Sequence, residues 1–398
     1  MNISSVKTMS PTRRLVLLLL VVIISGLSQG LLLPLLTILL EQTGVSSGVN
    51  GFNAAAMYIG SFASMFVVER ILFALGYKKI LILGIAMETV AILLIPVWGN
   101  LTFWFILRFI IGFGNSILHY TTQLWILTSA PPERRGRYIS YYGMAYGVGF
   151  SIGPAGINLL ALGSYAPFLT VAVFYTVVIL LLQRLPDQKV QSEGKESPAQ
   201  KRYGIAAKIA WFALIPTFLY GYTEAVLNSS FPLYGLRLGL SDTSVSMLLP
   251  LVGFGGLILQ LPLGMLSDKI GRKPVLLAAA AMGAAAFLAV PFAGSSVWGI
   301  GLLLLTAGGM IGSFFSLGLA YAADLLPREL LPSANVIGSI LFSIGSVVGP
   351  NLGGLGIQYI SLSSLFFLLG SVYVLFVLTG LAVRTRKRGG ADAGIGQA

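Results

Sequence analysis

Gly149-Phe-Ser-Ile-Gly153-Pro154 and Gly345-Ser-Val-Val-Gly349-Pro350 stand 196 residues apart in a chain of 398. The same offset lays Pro131-Pro132-Glu133-Arg134 on Pro327-Arg328-Glu329 and Gly112 on Gly308. An offset of 195 lays Gly76-Tyr-Lys-Lys on Gly271-Arg-Lys-Pro, and one of 198 lays Leu33-Pro34-Leu35 on Phe231-Pro232-Leu233. Chance gives one such match; several at nearly one period indicate a duplicated unit. Outward from these anchors, the first copy holds apolar runs at roughly 15–40, 51–72, 80–97, 102–129, 138–162 and 165–183. The second holds runs at roughly 209–236, 246–266, 275–292, 298–324, 334–357 and 364–383. A membrane-crossing helix needs about 20 such residues. The expected fold is an all-α membrane protein of twelve transmembrane helices in two pseudo-symmetric six-helix bundles, residues 1–183 and 205–383.

Composition excludes the soluble alternatives. The chain is 56% hydrophobic and only 10% charged, with a mean hydropathy of +0.88, more apolar side chain than one soluble core can hide. A soluble enzyme and a nucleic-acid partner are both ruled out. The net charge of +12 is therefore read as membrane orientation. Of 25 basic residues, 23 fall at the N-terminus, in the even-numbered loops or in the tail; Arg237 alone lies in an opposite loop and Arg108 inside a span. The positive-inside rule then puts both termini in the cytoplasm of a multi-pass protein of the cell (inner or plasma) membrane. The first run is too long for a signal peptide and lacks a small-residue cleavage site, so it is a retained span. Residues 184–204 are polar and charged and are read as a cytoplasmic tether between the bundles; 384–398 form a basic cytoplasmic tail. With no cysteine and a single histidine, disulfides, thiol catalysis and an H-E-x-x-H zinc site are excluded. No Walker loop occurs, which argues against an ATP-driven pump. No cofactor or metal is expected beyond a proton gradient.

Two parallel six-span bundles joined by a tether are the layout of alternating-access transporters. At this point the chain resembles the major facilitator superfamily. The loop after span eight, Gly264-Met-Leu-Ser-Asp268-Lys269-Ile-Gly271-Arg272-Lys273, is similar to its motif A, and Arg108-Phe-Ile-Ile-Gly112-Phe-Gly114 to its motif B. Gly149, Gly153 and Pro154 resemble part of motif C of the drug:proton antiporters, with Ser140 at the upstream glycine and Gly156 one residue early. Span eleven, where Gly345, Gly349 and Pro350 are the counterparts, carries the fuller version, Gly349-Pro350-Asn-Leu-Gly353-Gly354. In the first half motif A departs: registered on Gly76, Phe73 replaces Asp268 and Glu69 replaces Gly264, leaving Glu69 one helical turn from the expected acid. The resemblance implies that Asp268, with Gly264, Lys269, Gly271 and Arg272, latches a cytoplasmic gate, and that spans one, four, seven and ten line a cavity. Gly149, Gly153, Pro154 and their second-half counterparts are expected to permit close helix packing and bending.

Ionisable groups inside spans are costly, which makes each a functional candidate. On span four Arg108, Gly112, Asn115, His119 and Gln123 fall on one helical stripe; on span seven Thr217, Tyr220, Glu224 and Asn228 do the same. Glu224, at mid-span with no basic partner on its own helix, is the expected proton carrier, with Arg108 and His119 as further proton-coupling candidates. Arg108 otherwise snorkels or pairs with Glu88, and His119 otherwise bridges helices. The cavity is expected to include Gln29, Asn115, Gln123, Tyr120, Tyr142, Tyr146, Tyr220, Asn228, Phe314 and Tyr321. Tyr120, Tyr142, Tyr146, Tyr222, Phe314 and Phe315 are expected to furnish apolar walls, and many aromatics with few charges suit a partly hydrophobic solute. The expected function is proton-coupled secondary transport by a monomer, an antiporter exporting small amphipathic compounds. The alternatives are a proton symporter importing a polar metabolite, or a lipid-handling or transport-dead protein on the same scaffold.

Overall fold

The computed structural model describes residues 11–131, 134–185 and 200–383; Lys7, Glu133, most of the expected tether and the tail 384–398 lie outside them. Among the described residues the chain is helical, with short connections and no strand. The first half comprises α1 (Pro11–Gln42), α2 (Ser47–Ser64), α3 (Val68–Leu75), α4 (Tyr77–Leu94), α5 (Leu101–Ser129), α6 (Arg135–Ile152) and α7 (Ala166–Gln183). The second comprises α8 (Gln200–Arg237), α9 (Asp242–Ile270), α10 (Arg272–Ala289), α11 (Val297–Ile311), α12 (Phe314–Leu325), α13 (Leu331–Tyr359) and α14 (Ser364–Ala382). Eleven helices are long and apolar enough to cross a membrane, with α11 and α12 together counted as one; α2 and α3, bent by 57° at their junction, make a twelfth span if taken together.

Three features differ from the sequence expectation. The run 51–72 is broken, because Met65, Phe66 and Val67 donate to the carbonyls three residues back rather than four, tightening the chain out of the α ladder. Asp268 and Lys269, expected in a loop, lie in the last turn of α9, which ends only at Gly271. The φ of +97° there, matched by +79° at Gly76, is left-handed backbone that favours glycine. Finally, α8 starts at Gln200, so the end of the expected tether is helical.

Close helix crossings repeat with the sequence period. A Cβ on Gly112 would come within 1.8 Å of the Met57 carbonyl, and one on Gly60 within 2.0 Å of the Phe109 carbonyl, so α2 and α5 touch backbone to backbone. In the second half Gly308 meets the Val252 carbonyl and Gly255 the Leu305 carbonyl, both at 2.1 Å, joining α9 to α11. Gly149 and Gly153 press on Ile23 and Leu27 of α1; Gly345 and Gly349 press on Phe218 and Tyr222 of α8. Only the first pair is followed by a change of helix, α6 passing at Gly153-Pro154 into a 3₁₀ segment while α13 continues through Gly349-Pro350.

The halves meet along α2 with α13, α6 with α9, and α1 with α8. Contact is tight at one end. Gly51 lies against the Pro350 carbonyl and Gly354 against the Ser47 carbonyl. Glu41 and Arg237 form a two-pronged ion pair of 2.7 and 3.1 Å; Gln42 reaches Asp242, the Gly48 amide donates to Gln358, and Asn158 donates to Ser246. Along α6 and α9 the contact fades toward the end rich in basic residues. Gly253 abuts Ser151, Gly147 still meets Leu257, and at Gly143 and Gly264 a Cβ would find nothing within 4 Å. The halves are closed at the Glu41 end, and along α6 and α9 they part toward the basic end.

Candidate functional site

The polar stripe of α5 faces α1 and α6. The Asn115 amide donates to the Ser25 hydroxyl at 3.2 Å, and Ser25 also bonds His119 Nε2 at 3.2 Å. His119 Nδ1 lies 2.9 Å from the Tyr142 hydroxyl, and the Tyr146 ring stands edge-on to the imidazole at 4.8 Å. Tyr146 in turn donates to Gln29 Oε1 at 3.0 Å. Gln29, Asn115, His119, Tyr142 and Tyr146 are thus brought into one network. Both imidazole nitrogens are engaged by hydroxyls, an arrangement satisfied by the neutral ring, which has one donor and one acceptor. Gln123, further along the stripe, is exposed, and Tyr120 turns away toward Glu69 and Tyr77.

Across the seam stands α8. Glu224 is partly exposed and acts electrostatically on Tyr58 of α2 and Tyr146 of α6, both in the other half, and on Tyr220 of its own helix. Asn228 donates to the Glu224 carbonyl at 2.8 Å, and Tyr321 is buried on α12. The Tyr220 ring lies 6.4 Å from Phe315 and 6.0 Å from Phe342, which contact each other at 5.8 Å. Phe314, expected as a cavity wall, is instead fully buried against Tyr373 and Phe376 of α14. Successive helical residues point about 100° apart, and it is Phe315 that takes the cavity side.

Tyr58 and Phe342 escaped the sequence reading. A signal for Tyr58 existed: it lies between Met57 and Gly60, the residues whose backbone meets Gly112 and Phe109. Tyr58 interacts electrostatically with both Arg108 and Glu224. Arg108 is 1% exposed, and none of its three guanidinium nitrogens meets a hydrogen-bond partner among the described residues. It does not pair with Glu88, which accepts a 2.5 Å bond from Tyr175 of α7 inside the first bundle.

At the basic end Arg272 binds Asp268 and Asp324, each at 3.0 Å, and donates to Ser267 at 3.2 Å, tying α9, α10 and α12 together. The equivalent place in the first half is neutral: Tyr77 stacks on Trp125 at 5.2 Å and its hydroxyl lies 3.3 Å from Thr128. Glu69, in the first turn of α3, is exposed.

A sequence profile of the Major Facilitator Superfamily matches residues 18–216 and 213–397. The chain belongs to the major facilitator superfamily. It is 37% identical over 369 residues to the MFS-type transporter YfkF of Bacillus subtilis (strain 168), covering 91% of this chain and 94% of that one. It is 22% identical to the MFS-type transporter YcaD of Salmonella enteritidis PT4 (strain P125109), covering 92% and 95%. Its fold matches the crystal structure of the nucleoside transporter NupG with a TM-score of 0.75 at 12% identity, covering 92% of this chain and 98% of that one. The protein is therefore a multi-pass membrane transporter of this superfamily and not an enzyme. Among the described residues no group of histidine, aspartate and glutamate side chains is arranged to hold a metal.

Proposed function

We propose that the protein is a proton-coupled secondary transporter of small amphipathic solutes, working by alternating access, with Glu224 as the proton carrier. The carrying observation is the place of Glu224: a partly exposed carboxyl at mid-span, on the seam, within electrostatic reach of tyrosines from the opposite half. A carboxyl there loads and releases a proton as the cavity opens to each side. With the basic end read as cytoplasmic, the Glu41 end is read as facing outward, and the parting of α6 from α9 supports reading the conformation as inward-facing. Tyr146, Tyr220, Phe315 and Phe342 supply apolar walls with few charges, which suits a solute of mixed polarity.

Exchange of solute for protons, and hence export, is the reading that the glycine motif of spans five and eleven supports by resemblance. A second reading, in which solute and proton travel together, is favoured by Arg108: once Glu224 is protonated, this guanidinium is the net charge of the site. The sign of the proton gradient that drives accumulation separates the two.

Glu224→Gln keeps the shape of the protonated acid and cannot cycle. In proteoliposomes it should abolish gradient-driven flux while leaving binding and passive exchange in place. Gradient-driven transport at the wild-type rate would remove Glu224 from the proton path.

A further inference from the structure

We propose that Arg108 and Tyr58 form the seat of an anionic head group, so that the solutes carried are amphipathic organic acids with the apolar body among Tyr146, Tyr220, Phe315 and Phe342. The proposal rests on the seam being the transport cavity, as argued above, and takes the second of the two coupling readings.

A guanidinium removed from water without a counter-charge is among the least favourable groups a fold can hold, and it is retained where something pairs with it. Arg108 is buried in this way, with all three nitrogens unmatched among the described residues. The Tyr58 hydroxyl, also buried, has no partner either. Arg108 acts electrostatically on Tyr58, and so does Glu224. Neither candidate carboxylate satisfies the arginine. Glu88 is held by Tyr175, and the groups that Glu224 acts on are Tyr58, Tyr146 and Tyr220 rather than Arg108. A guanidinium fork and a carboxylate match in geometry, two N–H groups facing two oxygens, and a neighbouring phenol adds a third donor. Tyr58 has no hydrogen bond to give up on turning toward an incoming carboxylate. Tyr146 interacts electrostatically with both Tyr58 and Tyr220, and Phe315 and Phe342 pack beside Tyr220 at 6.4 and 6.0 Å. An acid with an aromatic or aliphatic tail therefore fits end to end, its carboxylate on Arg108 and Tyr58 once Glu224 is protonated.

The test uses three ligands with one apolar body: 4-phenylbutyrate, 4-phenylbutyramide and 4-phenylbutylamine, titrated onto the full chain purified in detergent, with affinity and thermal shift as readouts. The carboxylate should bind about 10-fold or more tightly than the amide, and in Glu224→Gln, where no carboxyl is left to receive a cation, the amine should bind more weakly than either. Arg108→Gln should bring carboxylate affinity down to the amide level and leave the amide unchanged. Arg108→Lys should restore part of the preference, since it returns the charge without the fork. Tyr58→Phe, which retains the ring and its packing, should reduce the carboxylate preference even if Arg108→Gln fails to fold. Equal binding of carboxylate and amide, an unchanged preference in the Arg108 and Tyr58 variants, or no binding by any of the three overturns the proposal. Glu224→Gln in the same titration should keep the carboxylate preference, so failure of the proton-carrier reading shows in flux while failure of this one shows in ligand discrimination.

Discussion

Arg272 and Tyr77 occupy equivalent places in the two halves and reach equivalent neighbours, Asp324 and Thr128, by unlike chemistry. The charged version is partly exposed, with Asp268 and Asp324 more than half exposed, so solvent screens it. The neutral version is a buried aromatic stack. Thermal melts in detergent should reflect the contrast. Arg272→Gln should lower stability by less than about 1 kcal/mol, whereas Tyr77→Ala should cost about 3–5 kcal/mol through lost packing. Asp268→Asn should leave solute binding intact and slow transport, because it stands at the basic end, where its partner Arg272 joins α9, α10 and α12. Loss of binding in a folded Asp268→Asn protein would place it in the site instead. At His119, satisfaction of both ring nitrogens by Ser25 and Tyr142 points to a positioning role. His119→Phe should weaken solute binding by releasing Tyr142 and leave the proton-to-solute ratio unchanged. A changed ratio would return His119 to the proton path.

At the level of helices, the pairs α2–α5 and α9–α11 are held by backbone contact through glycine, and Gly112 is the tightest. Gly112→Ala forces a methyl onto the Met57 carbonyl and should cost about 1–3 kcal/mol or more, read as a lowered melting temperature. Gly143→Ala, where a Cβ meets nothing, should be neutral or slightly stabilising. Of these crossings the sequence showed Gly112 and Gly308 as one repeat period apart, because that contact needs nothing but the missing side chain; Gly60 and Gly255, which complete them, stood in no motif. The polar stripe of α5 was legible for a similar reason, since 3.6-residue periodicity puts Asn115 and His119 on one face. What escaped depends on geometry that periodicity does not carry. The break after Ser64 arises from a switch to three-residue hydrogen bonds in a segment with neither proline nor glycine. Phe314 and Phe315 are chemically identical neighbours sorted only by the phase of α12, which restarts after Gly312-Ser313. Tyr58 becomes a site residue only once α2 lies against α5 and the second half closes over it.

For the whole molecule, the closed end is held by glycine-to-backbone contact of α2 with α13 and by the Glu41–Arg237 pair. Arg237 is 36% and Glu41 16% exposed, so the pair contributes about 1 kcal/mol or less. That is little against unfolding, yet about a fivefold shift between two conformers of similar free energy. Arg237→Glu should therefore leave the melting temperature nearly unchanged and favour opening at the Glu41 end. The natural chain has no cysteine, so a single cysteine replacing Gln29 reports access cleanly. Its labelling from the Glu41 side by an impermeant reagent should accelerate in Arg237→Glu and return toward the starting rate when Glu41→Arg is added. Equal rates in all three proteins would mean that the ion pair does not bias the gate.

Glu41 and Arg237 are separated by 196 residues, the repeat period itself, and close the molecule at matching ends of α1 and α8. Two identical protomers related by a two-fold axis would bring each residue at this place against its own copy, acid on acid or base on base. A pairing between a place and its own repeat equivalent is therefore open only to halves that differ in sequence at that place; a symmetric pair could fasten this end with charge only by using two different positions, each meeting the other across the axis.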